Sequence, residues 1–191
     1  MKKLFTVVSL VFCATFLFSS VTFSLDAKSL KGENFFTRTN FKAQGGVVFF
    51  HNMSNSKTII PAGTPVTIVS AYPRSIKFRM TGDAKKTYTV TDSRDVYAKY
   101  FVKDKSEIGL EAMNEKAREA VKNMTIYQGM TKNEVFVSKG CPAYIAYGIK
   151  SWGCTLEKLM ASDTWYYNID TRSREMIVTF KDGVVSGIKS R

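Results

Sequence analysis

From Gly45 to Val102 apolar and polar side chains alternate in short runs. Val47 to Phe50 is apolar throughout, and Val66-Thr67-Ile68-Val69 follows the turn-rich Pro61-Ala62-Gly63-Thr64-Pro65. Ile76, Phe78 and Met80 alternate with Lys77 and Arg79, and Tyr88 and Val90 alternate with Thr87, Thr89 and Thr91. Strands this short, roughly ten residues apart with turn signals between them, predict a small antiparallel module, barrel- or sandwich-like, over 45–102. Thr81-Gly82-Asp83 reads as a hairpin turn within it. Residues 28–44 are polar with Phe35, Phe36 and Phe41 interspersed, the pattern of a lead-in segment.

Beyond Asp104 the period changes. Leu110, Met113, Ala117, Ala120 and Met124 recur at three- and four-residue steps, with Glu111, Glu115, Arg118, Glu119 and Lys122 on the other side. This predicts an amphipathic helix over about Ser106 to Asn123, started by Asp104 and Glu107. A second, two-turn helix is predicted after Gln128-Gly129. Thr131-Lys132-Asn133-Glu134 matches a capping box, Val135 and Phe136 point to the core, and Gly140 with Pro142 stops the helix. A Tyr- and Gly-rich connector follows, and then period two returns. Trp165, Tyr167 and Ile169 share one face, as do Met176, Val178 and Phe180. Turns are expected at Thr171-Arg172-Ser173-Arg174 and at Asp182-Gly183, giving a three-stranded meander. The expected fold class is α+β: the β module, then a two-helix plus three-stranded domain over 106–191.

The first residues bear on destination. Met1-Lys2-Lys3 is a positive head, Leu4 to Phe18 is uncharged and apolar, and Ser19, Ser20 and Thr22 loosen the run before Asp26. That pattern predicts a secretory signal over 1–27, cut after Ser24 or Ala27. A membrane anchor needs about 20 apolar residues, which this run barely reaches. Phe12 precedes Cys13 where a lipoprotein signal carries a small residue, which argues against lipid attachment. The expected location is the periplasm, or the periplasmic face of the outer membrane, of a Gram-negative bacterium, with no transmembrane segment once the signal is removed.

Charge narrows the partners. Lys and Arg number 28 against 16 Asp and Glu, a net charge of +12, with the positives scattered along the chain. Such a balance favours anionic envelope polymers or lipids. Export, and the lack of a basic helix or an aromatic-plus-basic signature, argue against nucleic acid.

Candidate chemistry is sparse. Cys141 and Cys154 form an even pair in an oxidising compartment and are read as a disulfide, with two free buried thiols as the other reading. His51 is the single histidine; with Ser54 or Ser56 it is the nearest approach to a hydrolase pair, but Phe49-Phe50-His51-Asn52 suits a strand end better. Asp92 with Asp95, and Asp163 with Asp170, are the candidate paired carboxylates, and both pairs lie beside turns where carboxylates cap or solvate. No phosphate-binding loop, metal-ligand cluster or cofactor motif is visible. Tyr144, Tyr147 and Trp152 in the connector are either recognition aromatics or a lid over the core.

Four motifs then stand in order: Gly129-Met130-Thr131-Lys132-Asn133-Glu134-Val135, Lys139-Gly140-Cys141-Pro142, Asp163-Thr164-Trp165-Tyr166-Tyr167, and Val178 to Val185 with Asp182-Gly183. Together they resemble the SmpA/OmlA (BamE-like) family of outer-membrane lipoproteins, over about the last 70 residues. Members carry a Gly-Met-Thr-x-x-x-Val helix start, a Gly-x-Pro stop, a Trp-x-Tyr strand and a Phe-x-x-Gly-x-Val final hairpin. The resemblance implies two helices packed on a three-stranded antiparallel sheet, with Trp165 between sheet and helix. It also implies a role in the outer envelope. The segment 45–102 resembles small Src-homology-3-like bacterial barrels through Ile60-Pro61-Ala62-Gly63-Thr64-Pro65-Val66.

The sequence thus points to a non-enzymatic exported protein with no cofactor, binding an envelope protein or an anionic envelope component. A cell-wall hydrolase and a proteinaceous enzyme inhibitor are the alternatives.

Overall fold

The computed structural model describes residues 30–48, 58–93, 95–146, 148–168 and 175–191. The predicted signal, the turn at 171–174 and the residues Cys13, His51, Ser54, Ser56, Tyr147, Ile169 and Asp170 lie outside the described residues. The fold is mixed α+β, built on two sheets.

The larger sheet has eight strands: β1 (Asn34–Thr37), β2 (Phe41–Gln44), β3 (Val47–Val48), β4 (Thr58–Ile60), β5 (Pro65–Tyr72), β6 (Ser75–Met80), β7 (Tyr88–Thr91) and β8 (Phe101–Val102). Their order across the curled sheet is β4-β2-β3-β7-β6-β5-β1-β8. β3 runs parallel to β7, and the other neighbours are antiparallel. The alternation from Ile76 to Met80 is realised as β6, whose Ile76 and Phe78 are buried while Lys77 and Arg79 face outward. Asp83 N–H closes the turn after β6 on the Met80 carbonyl at 3.0 Å. The segment expected as a lead-in supplies β1 and β2. Phe35 and Phe41 are both 1 % exposed and are inward positions of two short strands, while Phe36 points to the other face of β1 and packs against Val102 and its neighbours. Phe78 gathers the core, with ring centroids 5.9 Å from Phe41, 5.7 Å from Tyr88 and 5.2 Å from Phe101.

A short helix, α1 (Val96–Tyr100), leads into β8. The single helix predicted over Ser106 to Asn123 is divided. Lys105–Ile108 and Leu110–Ala112 are 3₁₀ turns, and only Glu115–Lys122 is α-helical (α2). Gly109 sits at φ 78° and breaks the continuity, and Asn114 starts α2 afresh by accepting from Ala117 N–H at 2.9 Å. The predicted start at Asp104 is present, but it caps a 3₁₀ turn. The apolar stripe still faces inward: Met113, Ala117, Ala120 and Met124 are buried.

Helix α3 (Lys132–Lys139) has the predicted capping box. Thr131 Oγ1 accepts from Glu134 N–H at 3.2 Å, and Thr131 N–H donates to Glu134 Oε2 at 2.7 Å. Gly140, at φ 79°, ends it. The four-stranded antiparallel sheet follows, ordered β12-β11-β10-β9 from β9 (Tyr144–Ile145), β10 (Thr164–Asn168), β11 (Glu175–Lys181) and β12 (Val184–Ser190). Two elements exceed the expected meander: the edge strand β9 and a helix α4 (Leu156–Ala161), both inside the connector. Asp182 at φ 52° and Gly183 at φ 79° form the turn between β11 and β12. Trp165 is wholly buried, its ring 6.4 Å from Phe136 on α3 and 4.7 Å from Phe180 on β11, and its indole N–H donates to the Leu159 carbonyl at 3.1 Å.

One corner joins the two halves. Between β1 and β2, Thr39 Oγ1 donates to the Phe136 carbonyl at 2.7 Å, and Asn40 Nδ2 donates to the carbonyls of Val121 (2.6 Å) and Ser138 (3.1 Å). Asn40 Oδ1 accepts from Ala62 N–H at 2.8 Å. Helix C-termini leave carbonyls without intrahelical partners, and this corner serves that of Val121 in α2 and those of Val137 and Ser138 in α3. One buried cluster runs from Phe35 and Ile76 to Met130, Trp165 and Val185, and a second gathers Val102, Ile108, Met113, Ala117, Val121 and Val137.

Candidate functional site

Two constellations of polar and aromatic side chains stand out, one closed and one open. The closed one lies where α1 meets the connector. Asp92, Lys99 and Ser151 are each fully buried. Lys99 Nζ and Tyr100 O–H both reach Asp92 Oδ2 at 2.9 Å, and Lys99 Nζ also approaches the Ser151 carbonyl at 3.3 Å. The Ser151 hydroxyl donates to the Pro142 carbonyl, and the Cys141 thiol donates to Ser151 Oγ at 3.5 Å. The Tyr167 hydroxyl donates to the Gly140 carbonyl at 3.0 Å.

Burial controls the protonation of this cluster. Desolvation, followed by the nearby Cys141 and Asp92, pushes Tyr100 well above its ordinary range. Burial raises the Cys141 thiol to about 11, opposed in part by the Lys99 ammonium and the Ser151 hydroxyl. A thiol so raised, with no solvent access, stays protonated and is a poor nucleophile. The cluster is therefore a satisfied internal network in which each charge has an opposite or hydrogen-bonding neighbour.

The sequence-derived candidates distribute as follows. Cys141 and Cys154 do not form the expected disulfide: both are free, buried thiols. Each sulfur is turned to a different oxygen, Cys141 to Ser151 Oγ and Cys154 to the Lys150 carbonyl at 3.3 Å. Asp92 and Asp95 are not paired with one another. Asp92 is in the buried network, whereas Asp95 accepts from Leu156 N–H at 3.1 Å, at the start of α4. Asp163 accepts from Lys132 Nζ at 2.7 Å. Among the described residues no three His, Cys, Asp or Glu side chains gather as metal ligands. No described helix is long and apolar enough to cross a membrane.

The open constellation lies on the smaller sheet. Strand alternation sends Trp165 and Tyr167 inward, so Tyr166 between them faces the other way. Tyr144 on β9 is its direct cross-strand partner, Ile177 on β11 is its partner on the other side, and Lys189 on β12 ends the row. Tyr144 and Tyr166 line a cleft of about 300 Å³ with Ala146, Gly148, Glu175 and Arg191. Ala146 and Gly148 both take positive φ, 55° and 79°, and bend the loop after β9 back toward its own strand. Ile145 N–H then bonds the Ile149 carbonyl at 2.8 Å, and Tyr144 bridges to Lys150. At the other end Arg191 Nη2 lies 3.3 Å from Glu175 Oε2, with 65 % of the arginine side chain exposed. Ile149 (44 %) and Trp152 (48 %), close by in sequence, are also exposed.

Tyr144 and Trp152 were legible as connector aromatics, and the structure sets them apart. Tyr144 lines the cleft, whereas Trp152 projects from the turn that follows. Tyr166 was readable only as the off-face residue of the Trp165/Tyr167 alternation. Asp92 was legible only as a candidate partner of Asp95, and Lys99 gave no signal in the sequence.

An α+β protein of two sheets, carrying an aromatic-floored cleft on the smaller one, is the class that fold and site define. No protein-family model, curated protein or solved structure matches the chain.

Proposed function

We propose that this is a non-catalytic exported protein of a Gram-negative envelope, acting in the periplasm or on the periplasmic face of the outer membrane. Its C-terminal part would serve as an SmpA/OmlA-like binding and assembly domain for an envelope protein or an anionic envelope component. The observation that carries this reading is the contrast between the two constellations. Asp92, Lys99, Tyr100 and Cys141 are sealed inside and internally paired, whereas the aromatic floor of the cleft is open to solvent. Binding needs such a surface, whereas acid–base chemistry needs perturbed titratable groups that substrate can reach. The net charge of +12 supplies long-range attraction to anionic partners.

The test is a pull-down from crosslinked envelopes of the source organism, with wild type beside Tyr166→Ala and Ile149→Asp/Trp152→Ala. Recovery of a component that either variant loses supports the reading. Hydrolysis of peptidoglycan, ester or peptide substrates by the purified protein, abolished by His51→Ala, replaces it with an enzymatic one. The exposed Ile149 and Trp152 favour one second reading, a proteinaceous inhibitor that inserts this turn into an enzyme cleft. It predicts an enzyme among the captured components, inhibited by wild type and not by the double variant.

A further inference from the structure

Resting on the binding reading just given, we infer that the Tyr144/Tyr166 cleft is a saccharide subsite for an acidic pyranose, a sugar ring carrying a carboxylate. The floor is the first reason. Tyr144 and Tyr166 are directly opposed on neighbouring strands, where side chains on one face lie about 5 Å apart. They form a platform roughly two rings wide. A pyranose has an apolar C–H face and a rim of hydroxyls. It can desolvate that face on the tyrosines while its hydroxyls reach the polar edge of the cleft.

The second reason is the rim. Glu175 supplies acceptor oxygens and Arg191 a planar fork of donors. Their mutual ion pair is solvent-exposed on the arginine side. Glu175 holds only Nη2 of a guanidinium that carries five N–H donors, so a ligand carboxylate can take the solvent-facing donors while the contact to Glu175 is kept. Lys189, on the same face and in the same cross-strand row as Tyr166, and the exposed Lys150 beside Tyr144 give the surroundings a positive bias. A neutral sugar leaves that bias unused.

The third reason is what the cleft lacks. A peptide adding as a strand needs a free sheet edge. At the tyrosine end of the cleft that edge is β9, which is closed by its own hairpin through the Tyr144–Lys150 bridge and the Ile145–Ile149 hydrogen bond, while the other edge, β12, is separated from Tyr166 by β11. A volume of about 300 Å³ sits at the small end of ligand pockets, consistent with a single ring as the unit bound.

The experiment is titration of the folded protein with tetragalacturonate, maltotetraose and vesicles of phosphatidylglycerol and phosphatidylcholine, followed by isothermal calorimetry and tyrosine fluorescence. Tetragalacturonate should bind saturably and maltotetraose at least tenfold more weakly. Arg191→Gln should weaken tetragalacturonate about tenfold, the loss of one charge-assisted contact, and leave maltotetraose unchanged. Tyr166→Ala should abolish saturation, while Lys77→Glu on the other sheet should alter affinity less than threefold. If Tyr166→Ala proves unstable by thermal melting, Arg191→Gln and Tyr144→Ala carry the test. Equal affinity for the two oligosaccharides overturns the assignment. So does undiminished binding by both Arg191→Gln and Tyr144→Ala, or binding to anionic vesicles alone. Because the envelope pull-down is scored separately, absence of tetragalacturonate binding removes the saccharide assignment and leaves the binding reading to its own result.

Discussion

Lys99 Nζ donates to Asp92 Oδ2 at 2.9 Å with both side chains wholly shielded from water. An ion pair of this kind depends on its remaining hydrogen bonds, because removing two charges from water costs several kcal/mol per ion. Here Tyr100 supplies a second donor to the same carboxylate oxygen, and the Ser151 carbonyl offers the ammonium another acceptor.

Lys99→Met should therefore destabilise by about 3–5 kcal/mol, because it leaves Asp92 charged and buried. Lys99→Met combined with Asp92→Leu should recover much of that loss. Chemical denaturation of the two variants beside wild type checks both statements. A double variant less stable than Lys99→Met would mean that the pair contributes net stability.

Cys141 gives the protein a pH dependence of definite sign. Its thiol titrates near 9.0 in the unfolded chain and is raised to about 11 by burial in the native state. Between these values the native state holds a proton that the unfolded state has released, so stability falls as pH rises through the window. The contribution is about 2–3 kcal/mol, present in full below pH 9 and gone above pH 11. Cys141→Ala should flatten the fall in melting temperature between pH 9 and 11. Alkylation should modify Cys141 and Cys154 only after denaturation. Failure to modify either one in the denatured, unreduced protein would reinstate the disulfide.

Trp165 and Thr131 separate packing from capping. Trp165→Ala should cost about 3–5 kcal/mol, since it empties the space between Phe136 and Phe180. Trp165→Phe keeps a ring but loses volume and one of the two donors to the Leu159 carbonyl, which Ser162 N–H still serves, at about 1–2 kcal/mol. Thr131→Ala should cost about 1 kcal/mol, the usual value for a capping hydroxyl. Equilibrium unfolding should rank the three in that order.

Asn40→Ala removes two side-chain donors from helix carbonyls and the acceptor for Ala62 N–H. The loss should be on the order of 2–4 kcal/mol. Thr39→Val, close in shape, should cost less, because one hydroxyl serves the Phe136 and Val137 carbonyls. Hydrogen exchange should then quicken first near the ends of α2 and α3.

What could be read from the sequence was local. The capping box at Thr131, the stop at Gly140, the turn at Asp182-Gly183 and the alternation through β6 and β10 each need only neighbours within a few residues. What could not be read depends on contacts across the chain. Gly109 divides the predicted helix because a new cap, Asn114, lies five residues on, and a periodic stripe does not register such a break. Helix α4 and strand β9 are too short to display a period. The burial of Lys99 is invisible in a sequence where lysine next to tyrosine reads as a solvated face. Its ammonium is held by Asp92, seven positions back, and by the Ser151 carbonyl, 52 positions on. The cleft was half legible: the tyrosines were in view, but their register was set by β9, which the sequence did not disclose.

The corner at Thr39–Asn40 also dictates a sequence of events. It belongs to the first strands to be synthesised, yet its partners on α3 arrive 97 and 98 residues later. Until those carbonyls exist the polar corner has nothing to dock against. β1 can pair with β5 early, but its second neighbour, β8, comes later in the chain and meets it through Phe36 and Val102. Such distant contacts slow folding, because loop closure precedes any gain from the contact. A chain with this wiring completes its Thr39–Asn40 corner only after α3 has been made.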